Sequence, residues 1–264
     1  MLRRALGRSL GNAGITLVVL LLLWQAIVSF AGIPSFVAKG PVDVWEFLFT
    51  GEDAAAHRDQ LMPLLGQTLV DSVTGFVVGM AVAIVLAILF SLSKAIEAGV
   101  MPLVLLLRTI PLVSIAPVIL LITGRGTPAS VAVIGTVVVL FPALANVLFG
   151  LSRASRQSLD VVHVFGGGRL TALRKVNLPG ALPSVFAAAR VSVPSAVTGA
   201  LLAEWLSTGL GIGGAILKFN AQAQFAQLWS SIALITVITL VLYNIVQILE
   251  NLVLARMGMV NGVA

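Results

Sequence analysis

Few side chains in this sequence could do chemistry, and their spacing argues against catalysis. His57 and His163 each stand alone, with no Cys, His or acid at metal-ligand spacing and no His-Glu-x-x-His pair. The chain has no cysteine, which removes thiolate ligands, disulfides and thiol redox centres. No Gly-x-x-x-x-Gly-Lys-Ser/Thr run is present to cradle a nucleotide phosphate. The glycine-rich run from Gly209 to Gly214 superficially matches a dinucleotide fingerprint. It follows a long apolar stretch where no βαβ unit can form, so a flexible turn accounts for it. We therefore expect no catalytic residue, no metal site and no cofactor on this chain.

What remains is charge embedded in apolar sequence. Arg108 and Arg190 lie inside long hydrophobic runs, where ionisable groups are costly and often functional. Each sits about two turns from one end of its run, within reach of snorkelling. Structural anchoring and contact with an anion or a gate are both open for them. Glu204 stands near the end of another run beside Trp205, where it could pair with a cation, line an exit path or rest at an interface. Asp71 opens its run, where an acid at a helix start is inexpensive. Pro102, Pro111 and Pro117 share one run and should break or kink it, freeing backbone groups that need partners inside protein or a cavity. Gly75, Gly79 and Ala83 form a small-residue face suited to close helix packing.

The elements that must position these residues follow from composition. Hydrophobic residues make up 59% of the 264 and charged residues 10%, against roughly 45–50% and about 25% in soluble domains. Mean hydropathy is +1.09. A soluble chain of this length lacks the interior to hide so much apolar surface. The composition excludes disorder, a coiled coil and a soluble globule, and it implies an all-α polytopic membrane protein. Apolar runs predict about six spans, at 15–31, 70–92, 100–123, 129–150, 182–205 and 229–254. They form one transmembrane domain over 1–264. Arg3, Arg4 and Arg8 ahead of the first run would also suit a signal peptide. That run is too long for a signal core and has no clean cleavage site, so it reads as a retained helix.

Sixteen Lys and Arg against ten Asp and Glu give a net charge of +6. With the N-terminus inside, ten basic residues fall on the cytoplasmic side and four outside, which places both termini in the cytoplasm. The basic balance serves topology. No basic run interleaved with aromatics marks a nucleic-acid surface.

Two connections stand apart from the short, weakly charged ones. The outer segment 32–66 carries three prolines and a possible amphipathic helix over 42–50. The cytoplasmic loop 151–180 holds five basic residues, Asp160 and the run Gly166-Gly167-Gly168. A short helix over 160–165, ended by a glycine turn, suits a groove on a soluble partner. Asp160 would be its first-turn acid. A second amphipathic stretch, 169–177, should be broken by Pro179 before the next span.

This loop resembles the EAA motif of permease subunits of binding-protein-dependent ABC importers. Asp160-Val161-Val162, then Gly166, then Val176 and Leu178-Pro179 keep every spacing of that motif. Asp stands for Glu and two valines for the alanines. Ile33-Pro34, the run from Leu107 to Pro111, Phe141-Pro142-Ala143, Ala203-Glu204-Trp205 and Gly209-Leu210-Gly211 are similar to the nitrate, sulfonate and taurine branch of that family. The resemblance spans roughly residues 33–250. It implies the type I ABC importer permease fold in a bacterial inner membrane. It also implies two cytoplasmic ATPase subunits that carry ATP and Mg, a second permease subunit and an extracytoplasmic solute-binding protein. Asp160, Val161, Val162, His163, Gly166, Leu178 and Pro179 would couple to the ATPase. Arg108, Pro111, Arg190 and Glu204 are the candidates for the path or its gate. The solute would be a small anion such as a sulfonate, taurine, nitrate or bicarbonate.

A secondary transporter or channel would share this composition without an ATPase partner, but no internal repeat of broken helices is visible. An intramembrane hydrolase needs a nucleophile and base facing each other at depth, and neither histidine falls in a span.

Overall fold

The computed structural model describes residues 18–30 and 32–258, and every regular element among them is helical. The positions of Arg3, Arg4 and Arg8 and the ends of the first expected span lie outside the described residues. Residues 18–30 of the first apolar run are helical, as are the other five runs, the third run in two pieces. We number the helices α1 (Val18–Phe30), α2 (Pro41–Trp45), α3 (Ala54–Leu92), α4 (Lys94–Thr109), α5 (Leu112–Thr123), α6 (Pro128–Ser152), α7 (Arg156–Val164), α8 (Arg169–Ala172), α9 (Leu178–Ala203), α10 (Gly211–Ala221) and α11 (Phe225–Arg256).

Four of the described helical stretches are long and apolar enough to cross a bilayer: Ala54–Leu92, Pro128–Ser152, Arg169–Thr208 and Phe225–Arg256. The second span begins 16 residues earlier than hydropathy places it, because the polar first turns of α3 are rich in alanine and good helix formers. Pro63 lies inside this helix rather than in a loop. Asp71 is therefore no helix-start acid; it sits mid-helix, only 6% exposed.

The third expected span is two helices, α4 and α5, that meet at 112°. Pro111 makes the break. It precedes α5 as its cap residue, and Ile110 before it is extended, as residues preceding proline tend to be. Pro102 and Pro117 stay within their helices.

Pro179, by contrast, does not break the chain between loop and span. α8 runs through a π-helical turn at Leu173–Asn177 directly into α9. A proline clashes with the carbonyl four residues back and lacks an N–H. The wider turn just ahead of it accommodates both.

The chain forms two compact units. In the unit of Leu64–Gly214 and Ile235–Ala264, helices α3, α6 and α9 cross at glycines. A Cβ on Gly135 would fall 2.5 Å from the Gly75 Cα, and one on Gly199 would fall 3.1 Å from the Gly135 Cα. The Gly75–Gly79–Ala83 face packs as the sequence implied, with Gly79 against Val139 and Ala83 fully buried. Ala87, Ala143 and Ala188 extend this core beside Phe90, Leu144 and Val147. Small residues dominate because helices in lipid gain from close backbone approach rather than from expulsion of water.

In the unit of Met1–Pro63 and Ala215–Leu234, aromatic contacts predominate. Trp24 stacks on Trp229 at 5.8 Å, and Phe36 meets Phe225 edge-on at 5.4 Å. Both indole N–H groups are satisfied by backbone, Trp24 by the Lys39 carbonyl and Trp229 by that of Val37. The helix expected over 42–50 is present as α2 and a following π-helical turn, Glu46–Thr50. His57 stacks on Phe47 at 3.7 Å and bonds its carbonyl through Nδ1, a structural use for an isolated histidine.

Candidate functional site

Helix α7 is the clearest surface without a partner. Ser155 caps it, its hydroxyl accepting from the Ser158 N–H at 3.1 Å. The helix therefore starts at Arg156, four residues before the expected start, and Asp160 lies in its middle rather than its first turn. Phe165 and the glycines end it. Gly166 adopts φ +74°, its N–H bonds the His163 carbonyl, and Gly167 N–H bonds that of Val162 at 2.8 Å. A Cβ on Gly167 would meet the Val162 side chain at 2.5 Å, so the turn folds tightly back on the helix.

This geometry divides α7 into two faces. Leu159 and Val162 turn toward the chain. Leu159 lines a cavity of about 410 Å³ together with Phe90, Ser91, Leu151 and Asn177. Val161, Val164 and Phe165 occupy the opposite face at helical spacing and are 57%, 83% and 86% exposed. Asp160 and His163 flank that stripe and are exposed too. Sequence reasoning did not single out Val164 and Phe165, although the i, i+3, i+4 spacing with Val161 was available. Leu178 and Pro179 are half-buried at the start of α9. The loop is tied down by Asn177, whose amide donates to the Leu151 carbonyl at 3.1 Å.

Arg108 and Pro111 flank the α4–α5 bend. Helix α4 starts at Lys94, where Ser93 caps it and Lys94 pairs with Glu97 at 2.6 Å. Arg108 therefore lies about 21 Å along the helix from Lys94, far more than the two turns expected from hydropathy. Arg108 is exposed, and its guanidinium rests 4.1 Å over the Phe141 ring, an attraction between cation and π face.

Arg190 has a partner that sequence reasoning missed. Its Nε lies 3.0 Å from Glu250 Oε2, joining α9 to α11. The atoms are close enough for an ion pair but misaligned for a hydrogen bond. The Glu250 carboxylate is 7% exposed and the Arg190 side chain 28%.

Glu204 lies in a π-helical turn, Glu204–Thr208, that follows α9, and it is fully buried. Its Oε2 accepts the Gly213 N–H at 2.7 Å and the Thr68 hydroxyl at 3.0 Å. Thr68 also accepts the Ile212 N–H at 2.8 Å. Two unsatisfied N–H groups at the start of α10 thus find acceptors on α3 and on the α9 extension. The glycines of this segment serve that approach, since a Cβ on Gly211 or Gly213 would strike the Glu204 side chain. Nearby, Ser207 accepts the Gly126 N–H and lies 2.9 Å from the Ser130 hydroxyl.

Residues 75–259 match the family described as the binding-protein-dependent transport system inner membrane component. The chain is 30% identical to a probable ABC transporter permease protein of Haemophilus influenzae, covering 85% of this chain and 89% of that one. It is 28% identical to the riboflavin transport system permease protein RibX of Chloroflexus aurantiacus, over 90% and 87%. It is 24% identical to the putative aliphatic sulfonates transport permease protein SsuC of Bacillus subtilis, over 88% and 83%. In fold it is similar to a chain of the inward-facing MetNI methionine ABC transporter, with TM-score 0.58, 20% identity and coverage of 77% and 99%.

Proposed function

This chain belongs to the binding-protein-dependent transport system inner membrane components, as a permease subunit of an ABC importer, and from that membership we propose how it is driven and what it carries. The exposed stripe of Val161, Val164 and Phe165 on α7 carries the reading. A helix end with three large apolar side chains in solvent and a half-buried opposite face is suited to being covered by another protein. The occupant is a cytoplasmic ATPase subunit, with Asp160 and His163 at the rim of the contact.

Two such ATPases bind a pair of permeases, identical or related, and they hold the ATP and Mg. A solute-binding protein delivers the solute from outside. ATP and the loaded binding protein favour the outward-open arrangement, and hydrolysis favours the other. Force from the ATPase enters through α7, crosses the glycine turn at 166–168 and then runs along one continuous helix from Arg169 to Thr208. Both termini face the cytoplasm, as the distribution of basic residues supports.

The solute is a small anion of the sulfonate, taurine, nitrate or bicarbonate type. The exposed Arg108 at the α4–α5 bend and the sulfonate-permease relative support this. Arg190 adds less, since Glu250 already answers its charge. The riboflavin-permease relative favours a second reading, a ring-bearing organic solute.

The test is a mild-detergent pull-down from the native host, with ATPase activity measured on the eluate. Co-purification of an ATPase in wild type, lost in Val164→Asp and Phe165→Asp, is the expected result. Calorimetry on the co-purified binding protein with nitrate, taurine and riboflavin then separates the two solute classes. An oligomer free of ATPase that still transports would refute the scheme and favour a secondary transporter.

A further inference from the structure

The second carboxyl beside Glu204 is unexplained by any of the above. Asp71 lies one turn along α3 from Thr68, whose hydroxyl bonds Glu204 at 3.0 Å, so two buried carboxyls, 6% and 0% exposed, sit side by side. Asp71 Oδ1 accepts from the Gln67 amide at 3.0 Å, and Glu204 Oε2 accepts from Gly213 and Thr68. That leaves Asp71 Oδ2 and Glu204 Oε1, both buried and neither with any donor. Among the described residues, no Lys, Arg or His forms an ion pair with either acid.

We propose that Asp71 and Glu204 bind a single proton between them and that this proton locks α3 to the start of α10. The argument is one of charge and donors. Two carboxylates in contact cannot both stay ionised in a buried site without a compensating cation. Each also has one unpartnered oxygen, and a proton between them turns repulsion into a hydrogen bond. One proton satisfies both: Asp71 Oδ2–H donates to Glu204 Oε1. The remaining negative charge then rests on Glu204, facing the N-terminus of α10, where backbone N–H groups and the helix dipole favour an anion. The hydrogen-bond partners of the pair are Gln67 and Thr68 from α3 and the Gly213 N–H from α10, and none of these is titratable. The glycines at 211 and 213 leave room for the carboxyl and no more.

Infrared spectroscopy of the full chain in lipid nanodiscs tests this directly at neutral pH. Wild type should show the C=O stretch of a protonated carboxylic acid that shifts on transfer to deuterium oxide. Asp71→Asn and Glu204→Gln should each lose that band, because an amide supplies the hydrogen bond in place of the proton. Asp71→Asn should also keep a melting temperature close to wild type, whereas Asp71→Ala should lower it by several degrees. Absence of the band from wild type, or its survival in both amide variants, overturns the proposal. A wild-type melting temperature that climbs with added sodium, and loses that dependence in Asp71→Asn, would assign the site to a metal cation and overturn it equally.

Discussion

The Arg190–Glu250 pair makes the sharpest quantitative prediction, because its two members are buried unequally. Replacing Arg190 by Met leaves the Glu250 carboxylate, 7% exposed, without its counter-charge. Stranding a buried charge costs about 3–5 kcal/mol. Replacing Glu250 by Leu strands Arg190 instead, whose side chain is 28% exposed and long enough to reach polar surroundings. That change should cost less, about 1–3 kcal/mol. The double variant removes both charges and should fall within about 1 kcal/mol of wild type, since an apolar pair of similar volume replaces an ion pair at little net cost. The singles therefore should not add, and the shortfall measures the coupling. Equilibrium denaturation of the detergent-solubilised chain, followed by tryptophan fluorescence, reads all four proteins. In the unfolding constant the Arg190 change spans about two to almost four powers of ten. Equal costs for the two single variants, or a double variant as unstable as their sum, would refute the assignment of unequal burial and of pairing.

Three other predictions rest on single residues. Gly135→Ala places a Cβ 2.5 Å from the Gly75 backbone, so α3 and α6 must separate; overpacking of this kind should cost about 1–3 kcal/mol and lower the melting temperature. Thr68→Val keeps the shape but removes the acceptor of the Ile212 N–H and a donor to Glu204; hydrogen exchange at the start of α10 should rise, with about 1–3 kcal/mol lost. Gly166→Ala meets no neighbour within 4 Å, yet φ +74° costs about 1–2 kcal/mol for an L side chain. The turn that aims α7 should loosen, and transport-coupled ATPase activity should fall while the melting temperature drops by only a few degrees. A large drop in melting temperature with normal ATPase activity would contradict that last reasoning.

The sequence alone determined what depends on near neighbours. The described parts of the apolar runs are helical because lipid demands internal hydrogen bonding of the backbone, and only a helix supplies that within one segment. The glycine turn after α7 was legible because a residue with positive φ selects glycine locally. The close packing of Gly75, Gly79 and Ala83 followed from helical spacing. The motif spacing from Asp160 to Pro179 carried the family.

Tertiary structure decided everything that joins distant segments. Thr68 and Glu204 are 136 positions apart, and no local pattern indicates that they cap one helix together. Glu250 stood unremarked inside an apolar run until folding set it against Arg190. Proline positions were readable but their outcomes were not. Pro111 turns the chain by 112°, while Pro179 sits in a helix that continues past it. A proline removes one donor and adds one clash wherever it occurs. Whether the helix ends there depends on whether the surroundings can hold the freed carbonyls in a wider turn, and that is a property of the packed neighbours.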